Sequence, residues 1–266
     1  MMSDTYDTLK FERDGAVAVI TLHRPQAGNA IDVNMARDLM HAAILCDRDA
    51  DIRAVLLRSE GKLFCAGGDI GGFSGAGDKA ADLVSEETAY LHAAVARLAR
   101  MDKPLVTAIQ GFAAGAGFSL AMLADIAIAG EAAQFTLAYT GIGLTPDGGA
   151  SWLLPRLVGL RKAQEMILLN SRLSAAEALA AGLVTQVVAD AELDGTARAT
   201  AQKLANGPTK AFARSRELLL AAYGETLETH LERESRGIVS ALASRDGKEG
   251  VAAFLDKRKP AFTGQS

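Results

Sequence analysis

Up to about Gly148 the chain alternates short apolar runs with longer amphipathic ones, and beyond it the pattern is helical almost throughout. That change of period restricts the fold more than any other feature. Ala16–Leu22 (AVAVITL) and Arg53–Arg58 (RAVLLR) are apolar, carry β-branched residues and are short, so they read as strands. Val33–Ala50 between them reads as a helix. Leu105–Ile109, Ile126–Ala129 and Gln134–Leu137 read as further strands. Ala80–Met101 reads as a long helix with Leu83, Leu91, Ala94, Val95 and Leu98 as its apolar residues, stopped by Lys103-Pro104. Past Gly148 a strand-like patch near Leu183–Val188 interrupts the helices, and the helices of Ala191–Lys257 break at Asn206-Gly207-Pro208 and Tyr223-Gly224. Strand–helix alternation followed by helices points to the α/β (α+β) class. Gly67–Gly77 reads as a small, polar, mobile loop.

Length allows one large domain, or a core with a small appendage, within 266 residues. Nearly half the residues are apolar and 23% are charged, the composition of a soluble globular chain. The net charge is -4 and no stretch concentrates Lys and Arg, which argues against a nucleic-acid partner. Cys46 and Cys65 make no spaced pair, so free thiols in a reducing compartment and no metal are expected. The start, MMSDTYDTLKFERDG, is polar and acidic, unlike a signal peptide. No run of about 18 apolar residues is uninterrupted, so no membrane span is expected and the cytoplasm is the expected location.

Three stretches carry chemistry. Lys62–Ile70 (KLFCAGGDI) follows one strand and Gly111–Ile126 (GFAAGAGFSLAMLADI) follows another. Small residues after a strand leave backbone amides uncovered, and a helix starting near Ala116 aims its free N–H groups at the same place. Two such amides converging on one oxygen would form an oxyanion hole. Glycines also serve turns and close packing, so each loop alone is a weak signal. A dinucleotide fingerprint would need a third glycine at Leu120, where there is none. In Gly141–Arg156 (GIGLTPDGGASWLLPR), Asp147 is either a catalytic acid or, like Thr145, a helix cap. His92 lies on the long helix, where a lone histidine is usually a surface or satisfied core residue. Tyr139 packs or lines a pocket, and Asp125 reads as structural.

Together these stretches resemble the enoyl-CoA hydratase/isomerase, or crotonase, family. The resemblance runs from Leu22-His23-Arg24-Pro25 with Asn29-Ala30, through FCAGGDI, DKPLVTAIQGFAAGAGFSLAMLADI and GIGLTPDGGASWLLPRLVG, to LSAAEALAAGLVTQVV and AFLDKRKPAF near the end. It implies a spiral of ββα units over 1–190, a helical trimerisation section over 191–266, and homotrimers or dimers of trimers. It implies a CoA thioester substrate and no separate cofactor. The thioester oxygen would lie between the amides of Gly68 and Ala116. Arg24, Ala66, Asp69 and Ile70 would line the CoA part, with Lys257 or Arg258 reaching it, from a neighbouring subunit in one arrangement. Phe112, His92, Tyr139 and Leu144 would face the substrate, and Gly71–Gly77 and the long helix would shape the acyl pocket.

Departures from the family pattern separate the activities. The two glutamates that hold water in typical hydratases of the family fall on Ser119 and Tyr139, and neither side chain is a base near neutral pH. Asp147 matches the position where several isomerases place an aspartate, and its context is most similar to epoxyphenylacetyl-CoA isomerases of aromatic catabolism. The resemblance therefore implies an isomerase that shifts a double bond or opens a ring epoxide with Asp147 as acid–base group. Three alternatives stand beside it. One is a hydratase. Another is an aryl-CoA dehalogenase with Asp147 as nucleophile and His92 as base. The third is a non-catalytic acyl-CoA-binding protein.

Overall fold

The computed structural model describes residues 6–264. Residues 1–5, the first part of the polar N-terminal segment, and 265–266 lie outside the described residues. The chain opens with β1 (Leu9–Asp14) and β2 (Val17–Leu22), followed by α1 (Val33–Arg48) and β3 (Ala54–Ser59). Then come α2 (Ile70–Ala76), α3 (Ala80–Arg100), β4 (Leu105–Ile109), β5 (Phe112–Ala114) and α4 (Ala116–Met122). β6 (Ile126–Gly130), β7 (Gln134–Thr136), α5 (Ala150–Val158), α6 (Leu160–Leu169), β8 (Leu173–Ser174), α7 (Ala175–Ala180) and β9 (Gln186–Val188) follow. The last stretch holds α8 (Leu193–Ala205), α9 (Thr209–Ala221), α10 (Leu227–Ala243) and α11 (Arg245–Leu255). A six-stranded sheet has the order β1-β2-β3-β4-β6-β9, antiparallel between β1 and β2 and parallel elsewhere. A smaller sheet has the order β5-β7-β8.

The larger sheet divides two apolar cores, which explains why its inner strands β2, β3 and β4 lack an exposed polar face. Side chains alternate along a strand, so each run feeds both sides. Ala18, Ile20 and Leu22 of β2 join Val55, Leu57, Leu105 and Ile109 in the core shared with α1 and α3. Val17 and Val19 join Ala54, Leu56, Val106, Ala108 and Ile128 against Leu193, Ala197, Ala201 and Ala205 of α8. The alanine stripe lets α8 lie close to the sheet. Each buried Val, Leu or Ile contributes roughly 1.5–3 kcal/mol. α1 is capped by Asp32, whose Oδ1 accepts from Met35 N at 2.8 Å. Its buried face, Met35, Ala36, Leu39, Ala42, Ala43 and Cys46, has helical spacing and packs on α3.

The sequence-based elements agree with the structure in the main, but β8 and the break at Ser244 between α10 and α11 are not among them, and three further differences have a clear physical cause. Gly67–Gly77 is not a continuous loop, because Ile70–Ala76 forms α2. Asp69 caps it, accepting from Gly72 N at 3.0 Å, and this outweighs the poor helix propensity of the glycines. β1 escapes a pattern search because it is an edge strand whose exposed side carries Lys10, Glu12 and Asp14. β5 is only three residues long and is defined by its neighbours.

α3 carries residues of the site, and its C-terminal end is held by Arg216. Its guanidinium donates to the carbonyls of Leu98 (3.0 Å), Ala99 (3.2 Å), Lys103 (2.9 Å) and Met101, and to Asp125 Oδ1 (2.8 Å). Asp125 Oδ2 also accepts from Leu105 N at 2.7 Å, so Asp125 is structural, as its sequence context suggests. The Arg216 side chain is only 10% exposed. Arg216→Ala leaves several helix-end carbonyls without donors and is expected to cost about 2 kcal/mol of stability, read as a lower urea midpoint.

Candidate active site

The two glycine-rich loops are stitched together by backbone pairing. Cys65 N donates to Phe112 O (3.1 Å) and Ala114 N to Cys65 O (2.9 Å). On the other side Ile31 N donates to Gly67 O (2.7 Å) and Asp69 N to Ile31 O (2.8 Å). In this parallel bridge the residue opposite Ile31, Gly68, turns its own N–H away from Ile31. Ala116 begins α4, and a first-turn amide has no acceptor inside its helix. The loops touch just beside these two amides: a Cβ on Gly67 (φ +104°) would lie 3.1 Å from Ala114 O and 3.5 Å from Gly115 Cα. Only glycine admits that approach. The amides of Gly68 and Ala116 thus lie on adjoining loops, and neither donates in the backbone pairing that joins them.

Asp147 sits on the loop before α5. The helix is capped by Gly149, whose φ is left-handed and which offers no side chain, so the cap reading of Asp147 or Thr145 is corrected. The Asp147 carboxylate is instead turned to Tyr139 and His92. Tyr139 Oη donates to Oδ1 at 2.5 Å, and His92 Nε2 lies 3.4 Å from Oδ2. Ser119 Oγ donates to the Asp147 carbonyl at 3.0 Å and pins the loop. Burial, and after it the Asp147 charge, push the Tyr139 hydroxyl well above its ordinary range, so it stays protonated and donates. Tyr139→Phe frees Oδ1 and is expected to lower turnover about tenfold with acyl-CoA affinity unchanged, as steady-state kinetics would show.

His92 makes two contacts through one nitrogen, and they exclude one another. Nε2 accepts from Gly148 N at 3.1 Å, which requires a lone pair there. In that tautomer Nε2 holds no hydrogen for Asp147. The ring is half exposed and supports the Gly148 backbone.

The remaining sequence candidates divide into near and far. Arg24 donates to Ala30 O and pairs with Asp32 (3.2 Å) and Asp69 (3.3 Å). Ala66 on the loop and Ile70 at the start of α2 are exposed, and Arg172 lies over Phe112 of β5, its guanidinium carbon 5.4 Å from the ring centre. Leu144 is exposed between Tyr139 and Asp147. A cavity of about 350 Å³ adjoins Gly148 and is walled by Val95, Met122, Trp152 and Leu153. Arg258 and Lys257 follow α11, and the contacts of Arg258 run to Glu249, Asp256 and Lys259. The structure does not join them to the two loops within this chain.

One group is missing from the sequence reading. Glu87 lies on the buried stripe of α3 with Leu91, Ala94 and Leu98. Its signal was a gap: Leu83, Leu91, Ala94 and Leu98 mark an inward face on which position 87 should be apolar and is not. Burial first, then the charges of Asp147, Asp32 and Asp69, raise its carboxyl to about 7, against a smaller opposing effect of Arg24. Among the described residues no group of three His, Cys, Asp or Glu side chains could hold a metal ion, and no helix is long and apolar enough to cross a membrane.

Residues 12–265 match the family model described as enoyl-CoA hydratase/isomerase. The chain is 39% identical to a 1,2-epoxyphenylacetyl-CoA isomerase of Escherichia coli, over 94% of this chain and 95% of that one. It is 38% identical to a protein of Rhodobacter capsulatus named "Probable enoyl-CoA hydratase", over 98% of this chain and 100% of that one. A solved enoyl-CoA hydratase from Polaromonas superposes with a TM-score of 0.91 at 32% identity, covering 96% of this chain and 99% of that one. The chain belongs to the enoyl-CoA hydratase/isomerase family and has the crotonase fold with its helical C-terminal region.

Proposed function

We propose that this chain is an enoyl-CoA isomerase that shifts a double bond, or opens a ring epoxide, through a thioester enolate. The observation that carries the reading is the Asp147 carboxylate, oriented by Tyr139 Oη at 2.5 Å where the two neighbouring family positions, Ser119 and Tyr139, hold no acid. The thioester oxygen lies between the amides of Gly68 and Ala116. Those dipoles are fixed before reaction, so they stabilise the enolate charge as it develops. Asp147 removes a proton from the acyl chain, and a proton is returned at a different carbon. No step needs a metal, a nicotinamide or any other cofactor, since CoA is part of the substrate. Arg24, Ala66, Asp69 and Ile70 line the CoA side, and Phe112, His92, Tyr139 and Leu144 the acyl side.

A homotrimer, single or paired, completes the reading. Leu227, Leu231, Ile238, Val239, Leu242, Phe254 and Leu255 of α10 and α11 are exposed apolar residues that an assembly would cover. Lys257 and Arg258 would then reach CoA in a neighbouring subunit.

The proximity of His92 to Asp147 favours a second reading, in which Asp147 attacks the ring of a halogenated aryl-CoA thioester, displacing halide, and His92 activates water to hydrolyse the resulting aryl ester. The Gly148 hydrogen bond to Nε2 weighs against it by occupying the basic lone pair. A panel of aliphatic enoyl-, phenylacetyl-derived and halobenzoyl-CoA thioesters separates the readings. Isomerisation changes absorbance at constant mass, hydration adds water, and dehalogenation releases halide. A mass gain of water on enoyl-CoA, or halide release, overturns the isomerase reading.

A further inference from the structure

Glu87 is a charged residue type on a face built for apolar ones. It is 5% exposed, and among the described residues no hydrogen bond or ion pair reaches its carboxyl. Its direction is informative. A Cβ on Gly68 would lie 3.7 Å from Glu87 Oε1, so the carboxyl reaches the first of the two oxyanion loops. The groups that face it are Asp147 from the α5 loop, Asp32 ahead of α1, Asp69 ahead of α2, and Arg24. The buried thiol of Cys65 lies near enough to feel its charge. Arg24 already serves Asp32 and Asp69, so it does not neutralise Glu87. The residue is buried, yet its carboxyl oxygens are not among the enclosed polar atoms that lack a partner, so they open onto the space beside Gly68 and not into the apolar core. It stands beside Gly68, and of the charges acting on it that of Asp147, the candidate base, is the largest.

We propose that Glu87 is a second catalytic carboxyl, neutral when acyl-CoA binds, which delivers to the enolate the proton that replaces the one Asp147 removes. The proposal rests on the isomerase reading and specifies its proton path. Asp147 takes a proton from one carbon of the acyl chain, and the C–H electron pair spreads into the thioester. The Glu87 O–H bond then breaks as a C–H bond forms at the other end of the enolate. The protein is left with Asp147 protonated and Glu87 ionised. Loss of a proton from Asp147 to water and gain of one by Glu87 restore it, with no net redox change. An ordinary carboxyl would be ionised at neutral pH and could not donate. Glu87 keeps its proton because burial and three facing carboxylates hold it up to about 7.

The test uses the full chain and the 3-enoyl-CoA thioester that it turns over fastest. In deuterium oxide the wild-type product should carry one solvent deuterium per turnover. Turnover should fall as pH rises through about 7, where Glu87 loses its proton. Glu87→Gln should lower turnover by about 10²- to 10⁴-fold, abolish that limb of the pH profile and leave acyl-CoA affinity within about threefold. It should fold, since it removes a group whose ionisation opposes folding as pH rises. A product holding only substrate protium would overturn the proposal, as would E87Q with wild-type turnover and pH profile. If Asp147→Asn is inactive while E87Q is unaffected, only the role of Glu87 falls. If Asp147→Asn keeps wild-type turnover, the isomerase reading falls with it.

Discussion

Asp147→Asn is expected to cut turnover of an enoyl-CoA by about two to four orders of magnitude while acyl-CoA affinity stays within about threefold. The substitution keeps size and shape and removes the basic lone pairs of one oxygen. Tyr139 can still donate to the remaining amide oxygen, and Ser119 still holds the loop through the residue 147 carbonyl. The proposed binding surface of Arg24, Asp69 and the two loop amides is untouched, so the loss should appear in kcat and not in affinity. Asp147 caps no helix, so stability should also hold. Rapid-mixing kinetics on acyl-CoA binding and turnover check both parts. Wild-type turnover in Asp147→Asn would remove Asp147 from the chemistry. If the wild type instead accumulates a transient aryl ester at Asp147, the residue is a nucleophile, and His92→Ala should lengthen that ester's life.

The chain's sequence shows the large features because they repeat. Strand runs such as AVAVITL are apolar on both sides since the sheet has a core on each face, and helices such as α1 keep their spacing over several turns. The glycine-rich loops are readable for a different reason, as glycine is needed where Gly67 meets Ala114 and Gly115. What is hidden depends on partners far along the chain. β1 is polar because its outer edge faces solvent, and α2 exists because Asp69 caps a run of poor helix formers. The part of Tyr139 in orienting Asp147 requires a chain turn that no spacing specifies. Glu87 lies between. Its interruption of the α3 stripe is visible in the sequence, but the approach of its carboxyl to Gly68 is set by how α3 packs beside the α2 segment.

Gly117→Ala is expected to separate the two loops and so to damage both stability and turnover. A Cβ at 117 would lie 2.5 Å from Cys65 Cβ and 2.5 Å from Cys65 O, closer than any real contact. Cys65 cannot retreat. It is fully buried, its carbonyl accepts from Ala114 N, its amide donates to Phe112 O, and its Sγ lies 3.0 Å from Asn29 O. The added methyl must therefore push α4 away from the first loop, and Ala116 moves with it while Gly68 stays bridged to Ile31. Overpacking of this kind costs roughly 1–3 kcal/mol. The amide spacing matters more, because a shift of about 1 Å in a positioned group can cost on the order of 10²-fold in rate. The loss should fall on kcat, since oxyanion bonds strengthen as charge develops. Gly195→Ala is the control. It adds the same methyl within α8 where no atom lies within 4 Å, and should be neutral or slightly stabilising. Gly117→Ala with the urea midpoint and kcat of the wild type would show that the contact between the loops does not set the spacing of the Gly68 and Ala116 amides.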